Sequence, residues 1–239
     1  MKHTINEHGQ PIGLPLPGWT PPPHPPRTPM IGKRCRLEPL DVARDAEALH
    51  ACNTLEPDRG FWTYLPYGPF ESFARYRAFL ERECLGDDPL FFTIVVDHAP
   101  VGLAAYLRIA PASGAIEVGH LHFSPRLRRS AAATEAMFLM MERAFALGYR
   151  RYEWKCDTLN APSRAAAQRL GLSYEGTFRH ATVYKGRSRD TAWYAATDDD
   201  WPALRVALTT WLDDANFDST GQQRERLSAL TGPLLVARG

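Results

Sequence analysis

The chain lacks three features that would each assign it to a class of protein. Its four cysteines lie far apart and form no C-x-x-C pair, so the sequence predicts neither a disulfide framework nor a cysteine-rich metal site. No apolar run approaches the length of a membrane span, and the N-terminus carries no apolar secretory segment. We therefore expect a reduced, cytoplasmic protein with no membrane partner.

A charge excess of either sign is also missing. The 28 basic side chains balance the 27 acidic ones, which gives a net charge of +1. Proteins that bind duplex nucleic acid usually show a basic excess, so we expect no nucleic-acid partner. With 239 residues, of which 44% are hydrophobic, the chain can bury one good-sized core, or one domain with appendages.

Proline is concentrated near the N-terminus, where residues 21–26 read PPPHPP. Proline blocks both helices and central strands, so residues 1–30 are predicted to form an extended arm. Trp19 and several apolar residues of this arm favour packing along its own domain over signalling. We divide the chain into the arm (1–30), an α/β domain (31–199) and a C-terminal helix and tail (200–239).

Hydrophobic periodicity and turn signals predict the order of elements within the domain. Strands are expected at 33–40, 90–96, 101–109, 115–123, 151–157, 172–183 and 191–197. Helices are expected at 41–53, 70–85, 131–147, 160–170 and 199–213. Short turns imply antiparallel neighbours, whereas the strand–helix–strand unit at 115–157 implies one parallel crossover. The fold class is therefore α/β, with a mixed, mostly antiparallel sheet of about six to seven strands flanked by helices.

A basic loop joins the strand at 115–123 to the next helix. It contains Arg126, Arg128 and Arg129, and Ser130 follows as a candidate N-cap. The free N–H groups of a first helical turn, beside guanidinium groups, suit a phosphate or pyrophosphate. Arginines near a helix start are also often a solvated face, and the residues alone leave both interpretations open.

An aromatic loop, FWTYLPYGP, occupies residues 61–69. Proline and glycine prevent a regular element there, so the rings either fill a core or line a pocket. Under the second interpretation, Trp62, Tyr64 and Tyr67 are candidate substrate-binding residues.

Several motifs resemble those of the GCN5-related N-acetyltransferases, the GNAT superfamily. The R-x-x-A-x-A pattern at Arg128, Ala131 and Ala133 resembles the acyl-CoA loop of this family, although Ala131 stands where glycine is usual. Residues 160–179, NAPSRAAAQRLGLSYEGTFR, and 185–194, KGRSRDTAWY, resemble the branch that acetylates the N-termini of ribosomal proteins. The matches cover roughly residues 33–197 and imply the GNAT fold.

The resemblance implies acetyl-CoA as cofactor, bound between the parallel strands at 117–123 and 151–157. Its pantetheine would bond to the main chain near Leu121, His122 and Phe123. The remaining contacts implied are Arg128, Arg129, Ser130, Ala131, Ala132, Ala133 and Thr134 in the loop, together with Asn160 and Ser163.

Two catalytic residues are implied in the same way. Ser163 would protonate or hydrogen-bond the leaving thiolate, and Glu117 would act as the base or hold a water. Without the resemblance, Asn160 is a helix cap and Ser163 an ordinary first-turn residue. Regular alternation puts Glu117 on the opposite face from His120 and His122 unless a bulge resets the phase.

Two further observations limit the assignment. His120 and His122 without further ligands make a poor metal site, so no metal is expected. A glutamate that some relatives carry after the EGTFR motif is absent, since residues 180–183 read HATV. This absence weakens any transfer of the ribosomal substrate.

The function expected is N-acetyltransfer from acetyl-CoA to a primary amine by direct attack in a ternary complex. The acceptor is left open among a peptide N-terminus, a polyamine, an amino acid and an amino sugar, and a homodimer is left open too. The alternative is a GNAT-fold acyl-CoA-binding or regulatory protein without acetyltransferase activity.

Overall fold

A computed structural model of the chain describes residues 3–56 and 59–239. The helices are α1 (Val42–Asn53), α2 (Phe73–Glu83), α3 (Ala131–Ala146), α4 (Ala161–Arg169), α5 (Trp201–Leu212) and α6 (Leu227–Thr231). The strands are β1 (Thr4–Ile5), β2 (Pro11–Ile12), β3 (Met30–Ile31), β4 (Arg36–Pro39), β5 (Leu90–Val96), β6 (Ala99–Ala110), β7 (Ala115–Phe123), β8 (Arg151–Asp157), β9 (Ser173–Tyr184) and β10 (Arg187–Thr197).

The main sheet has eight strands in the order β3-β4-β5-β6-β7-β8-β10-β9, and β1 and β2 form a separate hairpin. Neighbouring strands of the main sheet are antiparallel, except for the parallel pair β7 and β8. The predicted α/β class and the parallel crossover through α3 are confirmed. The strand number exceeds the expected six to seven because Met30 and Ile31 add a short edge strand.

The first predicted strand, 33–40, is shorter than expected and begins at Arg36. The amides before it do not join the sheet but donate to the carboxylate of Glu135 on α3. The N···O distances are 3.0 Å from Lys33, 2.6 Å from Arg34 and 2.8 Å from Cys35. This turn therefore fastens one edge of the sheet to α3.

The β9–β10 hairpin has a tighter turn than the predicted loop at 185–190. Tyr184 pairs with Arg187, which leaves Lys185 and Gly186 as the two turn residues. Their φ angles of 48° and 70° are both positive, as two-residue turns compatible with strand twist require. Residues 187–190 consequently belong to β10, and the hairpin is long.

Apolar side chains cover both faces of the sheet. On β5, Phe92 and Ile94 join the cluster under α3, whereas Phe91 joins the cluster under α1 and α2, as strand alternation requires. The methionines of α3, Met137, Met140 and Met141, are buried in the first cluster. These methionines therefore belong to the core between α3 and the sheet.

The N-terminal segment lies along the domain after the exposed β1–β2 hairpin. Tyr149 Oη donates to the carbonyl of Pro23 at 3.2 Å. The guanidinium of Arg143, on α3, donates to the carbonyls of Thr28 and Pro29 at 2.6 and 2.7 Å. Of the helices in the described part of the chain, none has the length and apolar character needed to cross a bilayer.

Candidate active site

The parallel strands β7 and β8 separate halfway along their length. They pair from Ala115 with Arg151 to Val118 with Trp154, and beyond that point each keeps only its outer neighbour, β6 for β7 and β10 for β8. A cavity of about 420 Å³ opens where they part, and both Val118 and Trp154 line it. Because α3 follows β7 directly, the helix begins at the same end of the sheet as this opening.

A bulge in β7 turns two candidate side chains towards the cavity. Gly119 pairs with Ala105 but His122 pairs with Leu103, so β7 carries an extra residue, and His120 has a φ of 50°. Glu117 and His120 therefore both line the cavity, contrary to regular alternation. His122 does not line the cavity; its ring stacks on that of Phe61, with centroids 4.8 Å apart.

The carboxylate of Glu117 is buried and paired with two cations. Its Oε1 lies 2.7 Å from Arg108 Nη1 and its Oε2 lies 2.8 Å from Lys155 Nζ, and the residue is 3% exposed. Burial raises the pKa of Glu117 above its ordinary value, and the two cations oppose that rise. Glu117 is thus a buried carboxyl group whose negative charge is compensated by Arg108 and Lys155.

Lys155 links Glu117 to a second carboxylate. Its Nζ also lies 2.8 Å from Glu153 Oε2 and sits 3.8 Å from the centroid of the Trp193 ring. Lys155, Arg108 and Trp193 were not among the residues predicted for this site. The alternation in RYEWKCD does put Lys155 and Glu153 on one face, but nothing local shows that Glu117 lies opposite Glu153.

Burial keeps both histidines of β7 neutral at pH 7. It lowers the pKa of His120 to about 4 and that of His122 to about 3, and nearby arginines add to each effect. His120 Nδ1 lies 3.3 Å from Tyr67 Oη. Within residues 3–56 and 59–239, no group of three or more His, Cys, Asp or Glu side chains could hold a metal ion.

Asn160 and Ser163 lie together at the start of α4, and both line the cavity. Asn160 caps the helix, because its Oδ1 accepts from the Ser163 amide at 3.2 Å. Ser163 Oγ accepts from the indole N–H of Trp154 at 3.0 Å, which leaves its own hydroxyl hydrogen to donate. Asn160 therefore caps α4 and lines the cavity as well.

The end of β8 connects the cavity to the surrounding loops. Asp157, which lines the cavity, accepts from the Leu159 amide at 2.8 Å and from Tyr184 Oη at 2.9 Å. Tyr64 Oη donates to the Leu159 carbonyl at 3.0 Å. Lys185, at the hairpin tip, donates to the carbonyl of Trp62 at 2.6 Å, so the hairpin and the aromatic loop close over one side of the cavity.

The aromatic loop both fills the core and lines the cavity. Phe61 and Tyr64 line the cavity. Trp62 is 3% exposed and lies edge-on to Phe70, with centroids 5.4 Å apart, while Tyr67 packs on Phe79 at 4.4 Å. Of the three candidate substrate-binding residues, Tyr64 thus lies in the cavity wall, whereas Trp62 and Tyr67 pack among the aromatic side chains of the core.

The basic loop leads into a capped helix, as predicted. Ser130 Oγ accepts from the Ala133 amide at 3.1 Å. Within the described residues, the amides of Ala131 and Ala132 have no protein acceptor, which is the usual state of a first helical turn. The left-handed residue of the loop is Arg129, with a φ of 59°, while Ala131 is the first helical residue and does not need glycine's conformational freedom.

Three guanidinium groups lie on or beside this helix start. Arg128 pairs with Glu56 at 2.6 Å, and Arg129 is exposed. Arg169, which was not among the predicted site residues, donates to Thr134 Oγ1 at 3.0 Å. Free amides and guanidinium groups form the donor set that a pyrophosphate requires. Leu121 lines the cavity, and Phe123 follows on the part of β7 that has no β8 partner.

A mixed sheet whose two parallel strands diverge beside a capped, basic helix start agrees with the fold that the sequence resemblance implied. The family model described as "Acetyltransferase (GNAT) domain" matches residues 34–173. The chain belongs to the GNAT acetyltransferase family.

Solved structures agree with this assignment. A GCN5-related N-acetyltransferase from Brucella melitensis is 43% identical, with a TM-score of 0.88, and the match covers 91% of this chain and 100% of that one. A probable acetyltransferase of the GNAT family from Chromobacterium violaceum ATCC 12472 is 41% identical, with a TM-score of 0.76 and coverage of 81% and 98%. No curated protein matches the chain.

More distant structures share the fold alone. One is the microcin C7 self immunity acetyltransferase MccE in complex with acetyl-CoA and AMP, at 19% identity, a TM-score of 0.62 and coverage of 70% and 93%. Another modifies the N-terminal serine of ribosomal protein L7/L12 in Salmonella typhimurium, at 19% identity, a TM-score of 0.59 and coverage of 71% and 98%.

Proposed function

We propose that the protein transfers an acetyl group from acetyl-CoA to a primary amine by direct attack within a ternary complex. One observation carries the proposal. A buried carboxylate, Glu117, and a hydroxyl whose oxygen accepts from the Trp154 indole, Ser163, line a single cavity at the point where β7 and β8 part. Amine acylation by a thioester needs a proton acceptor and a proton donor on either side of the reacting carbon.

Acetyl-CoA fits the donors that surround this opening. The amides of Ala131 and Ala132, with Arg128 and Arg129, would take the pyrophosphate. The β7 edge at 121–123, which has no β8 partner, offers main-chain groups for the amides of the pantetheine arm. Bound in this way, acetyl-CoA would supply the activated acetyl group, with the thioester near Asn160 and Ser163.

In this proposal, Glu117 and Ser163 carry out the two proton transfers of the reaction. Glu117, as carboxylate, removes a proton from the acceptor ammonium and so frees the nitrogen lone pair for attack. Main-chain N–H groups near the β7 bulge stabilise the negative charge that develops on the carbonyl oxygen. As the C–S bond breaks, the Ser163 hydroxyl donates its proton to the departing thiolate and takes in return the second proton that the attacking nitrogen loses, while the indole N–H of Trp154 holds the Ser163 oxygen in position.

The acceptor amine would enter between the aromatic loop and the β9–β10 hairpin. Phe61 and Tyr64 form one wall, and Phe178 and Trp193, whose rings lie 4.5 Å apart, form the other. Aromatic faces favour a nearby ammonium group. The amine would thus approach Glu117 past aromatic walls.

Ser163→Ala tests the assignment. We expect turnover to fall by roughly 10²–10⁴, because the leaving thiolate loses its proton donor, while the KM for acetyl-CoA changes little. Initial rates of thiol release and mass spectrometry of the acceptor measure this on a panel of amines. Ser188→Ala, on the exposed part of β10, is the matched control. A folded Ser163→Ala protein with unchanged turnover contradicts the assignment.

A further inference from the structure

A guanidinium without an acid partner lines the cavity. Arg189, on β10, is half-buried, and its Nε donates to Thr191 Oγ1 at 3.1 Å. Its charged end also lies 5.7 Å from the centroid of the Tyr184 ring. Within residues 3–56 and 59–239, no carboxylate lies within salt-bridge distance of it.

The acids in the same cavity are already engaged. Glu117 is held between Arg108 and Lys155. Asp157 accepts from Tyr184 Oη and from the Leu159 amide. Arg189 therefore contributes a positive charge that the cavity wall itself does not balance.

The hairpin that carries Arg189 adds to this positive field. Its two strands and turn carry four cations, Arg179, Lys185, Arg187 and Arg189, against two acids, Glu175, which pairs with Arg151, and Asp190, which accepts from the His180 amide. Thr182 on β9 pairs with Arg189 on β10, and both line the cavity, so the basic hairpin forms its outer wall. Clefts lined by charge of one sign concentrate ligands of the opposite sign.

We propose that the acceptor is an amine that also carries a carboxylate, and that Arg189 binds this carboxylate. The proposal rests on the acetyltransferase function above and deepens it. A guanidinium recognises a carboxylate through charge-assisted, often bidentate hydrogen bonds, and Tyr184 and Thr191 hold this one in position. A polyamine, which offers positive charge alone, is disfavoured by the same groups.

The carboxylate has two sources, a free amino acid or an acidic side chain near the N-terminus of a peptide. Paired probes separate them: serine against serinamide, and Ser-Asp-Gly amide against Ser-Asn-Gly amide, with spermidine as a cationic amine. Within the pair that the enzyme uses, we expect kcat/KM for the carboxylate to exceed that for its neutral partner by about tenfold or more.

Arg189→Gln, assayed with both pairs, assigns this preference to the guanidinium. The variant keeps a side chain that can bond Thr191, and we expect it to raise the KM for the carboxylate probe about tenfold. The kcat/KM for the neutral partner stays the same. Arg187→Gln, exposed on the same strand and outside the cavity lining, removes the same charge from the hairpin and is the matched control: it raises the KM for the carboxylate probe far less than Arg189→Gln does.

Binding measurements separate this proposal from the transferase proposal. Isothermal titration of the same probes into wild type and Arg189→Gln, with CoA present, needs no turnover. Loss of carboxylate preference in the variant upholds the anion site even if no amine is acetylated, in which case the transferase proposal alone fails. Equal binding of both members of each pair to wild type, or an equal effect of Arg189→Gln on both, overturns the inference.

Discussion

At the scale of the residue, the chemistry depends on how Glu117 is held. A carboxyl buried without partners would stay protonated at neutral pH and could not accept a proton. Arg108 and Lys155, at 2.7 and 2.8 Å, favour the ionised form and compensate in part for the loss of water. Glu117 is thus kept out of water and still able to act as a base.

The first prediction concerns the pH dependence that follows. A base works when deprotonated, so kcat/KM falls as the pH drops through the pKa of Glu117, which burial sets above its ordinary value. Lys155→Gln removes a cation that lowers this pKa and leaves the carboxylate of Glu153 nearby. We expect the acid limb of the kcat/KM profile to move to higher pH.

The matching measurements use two further variants. Arg108→Gln, at a more exposed partner of Glu117, should move the acid limb in the same direction. Arg82→Gln, on the surface of α2, should leave the profile unchanged. Thermal unfolding checks that each variant is folded. An acid limb that stays in place, or moves to lower pH, in both cavity variants would show that Glu117 is not the titrating base.

Sequence could identify some of these residues and not others. Asn160 and Ser163 belong to one contiguous motif, so their shared position at the start of α4 could be predicted. Lys155 and Arg108 could not, because their role depends on the registers of β6, β7 and β8, which join residues far apart in the chain. The bulge at His120 likewise depends on how β7 pairs with β6.

At the scale of the element, α3 carries two functions from its first turns. Ser130 caps the helix, which leaves the amides of Ala131 and Ala132 free at the opening between the strands. Glu135, one turn further on, accepts three amides from the turn before β4. The helix start is therefore fixed against the sheet edge, which holds the proposed anion site in place.

The cap was predictable and the Glu135 contact was not. The serine and the helix that follows it are adjacent in sequence, and local capping rules suffice. The amides bound by Glu135 come from about 100 residues earlier, and no local pattern marks that contact. The same distinction applies to the Lys185–Gly186 turn, whose tightness is set by the pairing of β9 with β10.

A second prediction follows for stability. In Glu135, Oε2 accepts the amides of Arg34 and Cys35, and Oε1 accepts the amide of Lys33. Glu135→Gln replaces one of these two oxygens with an NH₂ group, which cannot accept a hydrogen bond. We expect a loss of about 2–3 kcal/mol in the free energy of unfolding, because buried donors lose their partner. Urea denaturation measures it.

The matched control lies on the same helix. Glu142 is partly exposed and pairs with Arg205 on α5, so Glu142→Gln should cost less than about 1 kcal/mol. Equal effects of the two substitutions would mean that the turn before β4 does not depend on Glu135.

At the scale of the whole molecule, the site lies where β7 separates from β8 within an otherwise continuous eight-stranded sheet. The strand–helix–strand order predicted that these strands are parallel. β6 and β10 pair with the outer edges of β7 and β8 along their whole length, so they do not mark where the split begins. The extent of the split could not be predicted, because the direct pairing of β7 with β8, which stops at Val118 and Trp154, joins residues far apart in the chain.

Acetyl-CoA binding tests the central claim most directly. If the amides of α3 and the edge of β7 hold the cofactor, acetyl-CoA at about a hundredfold over its dissociation constant adds roughly 2.7 kcal/mol to the stability of the folded protein. For a chain of this size, that corresponds to a rise in Tm of about 5–10 °C. We predict a concentration-dependent rise of this order in thermal unfolding. An unchanged Tm at millimolar acetyl-CoA would contradict both the cofactor site and the acetyltransferase function built on it.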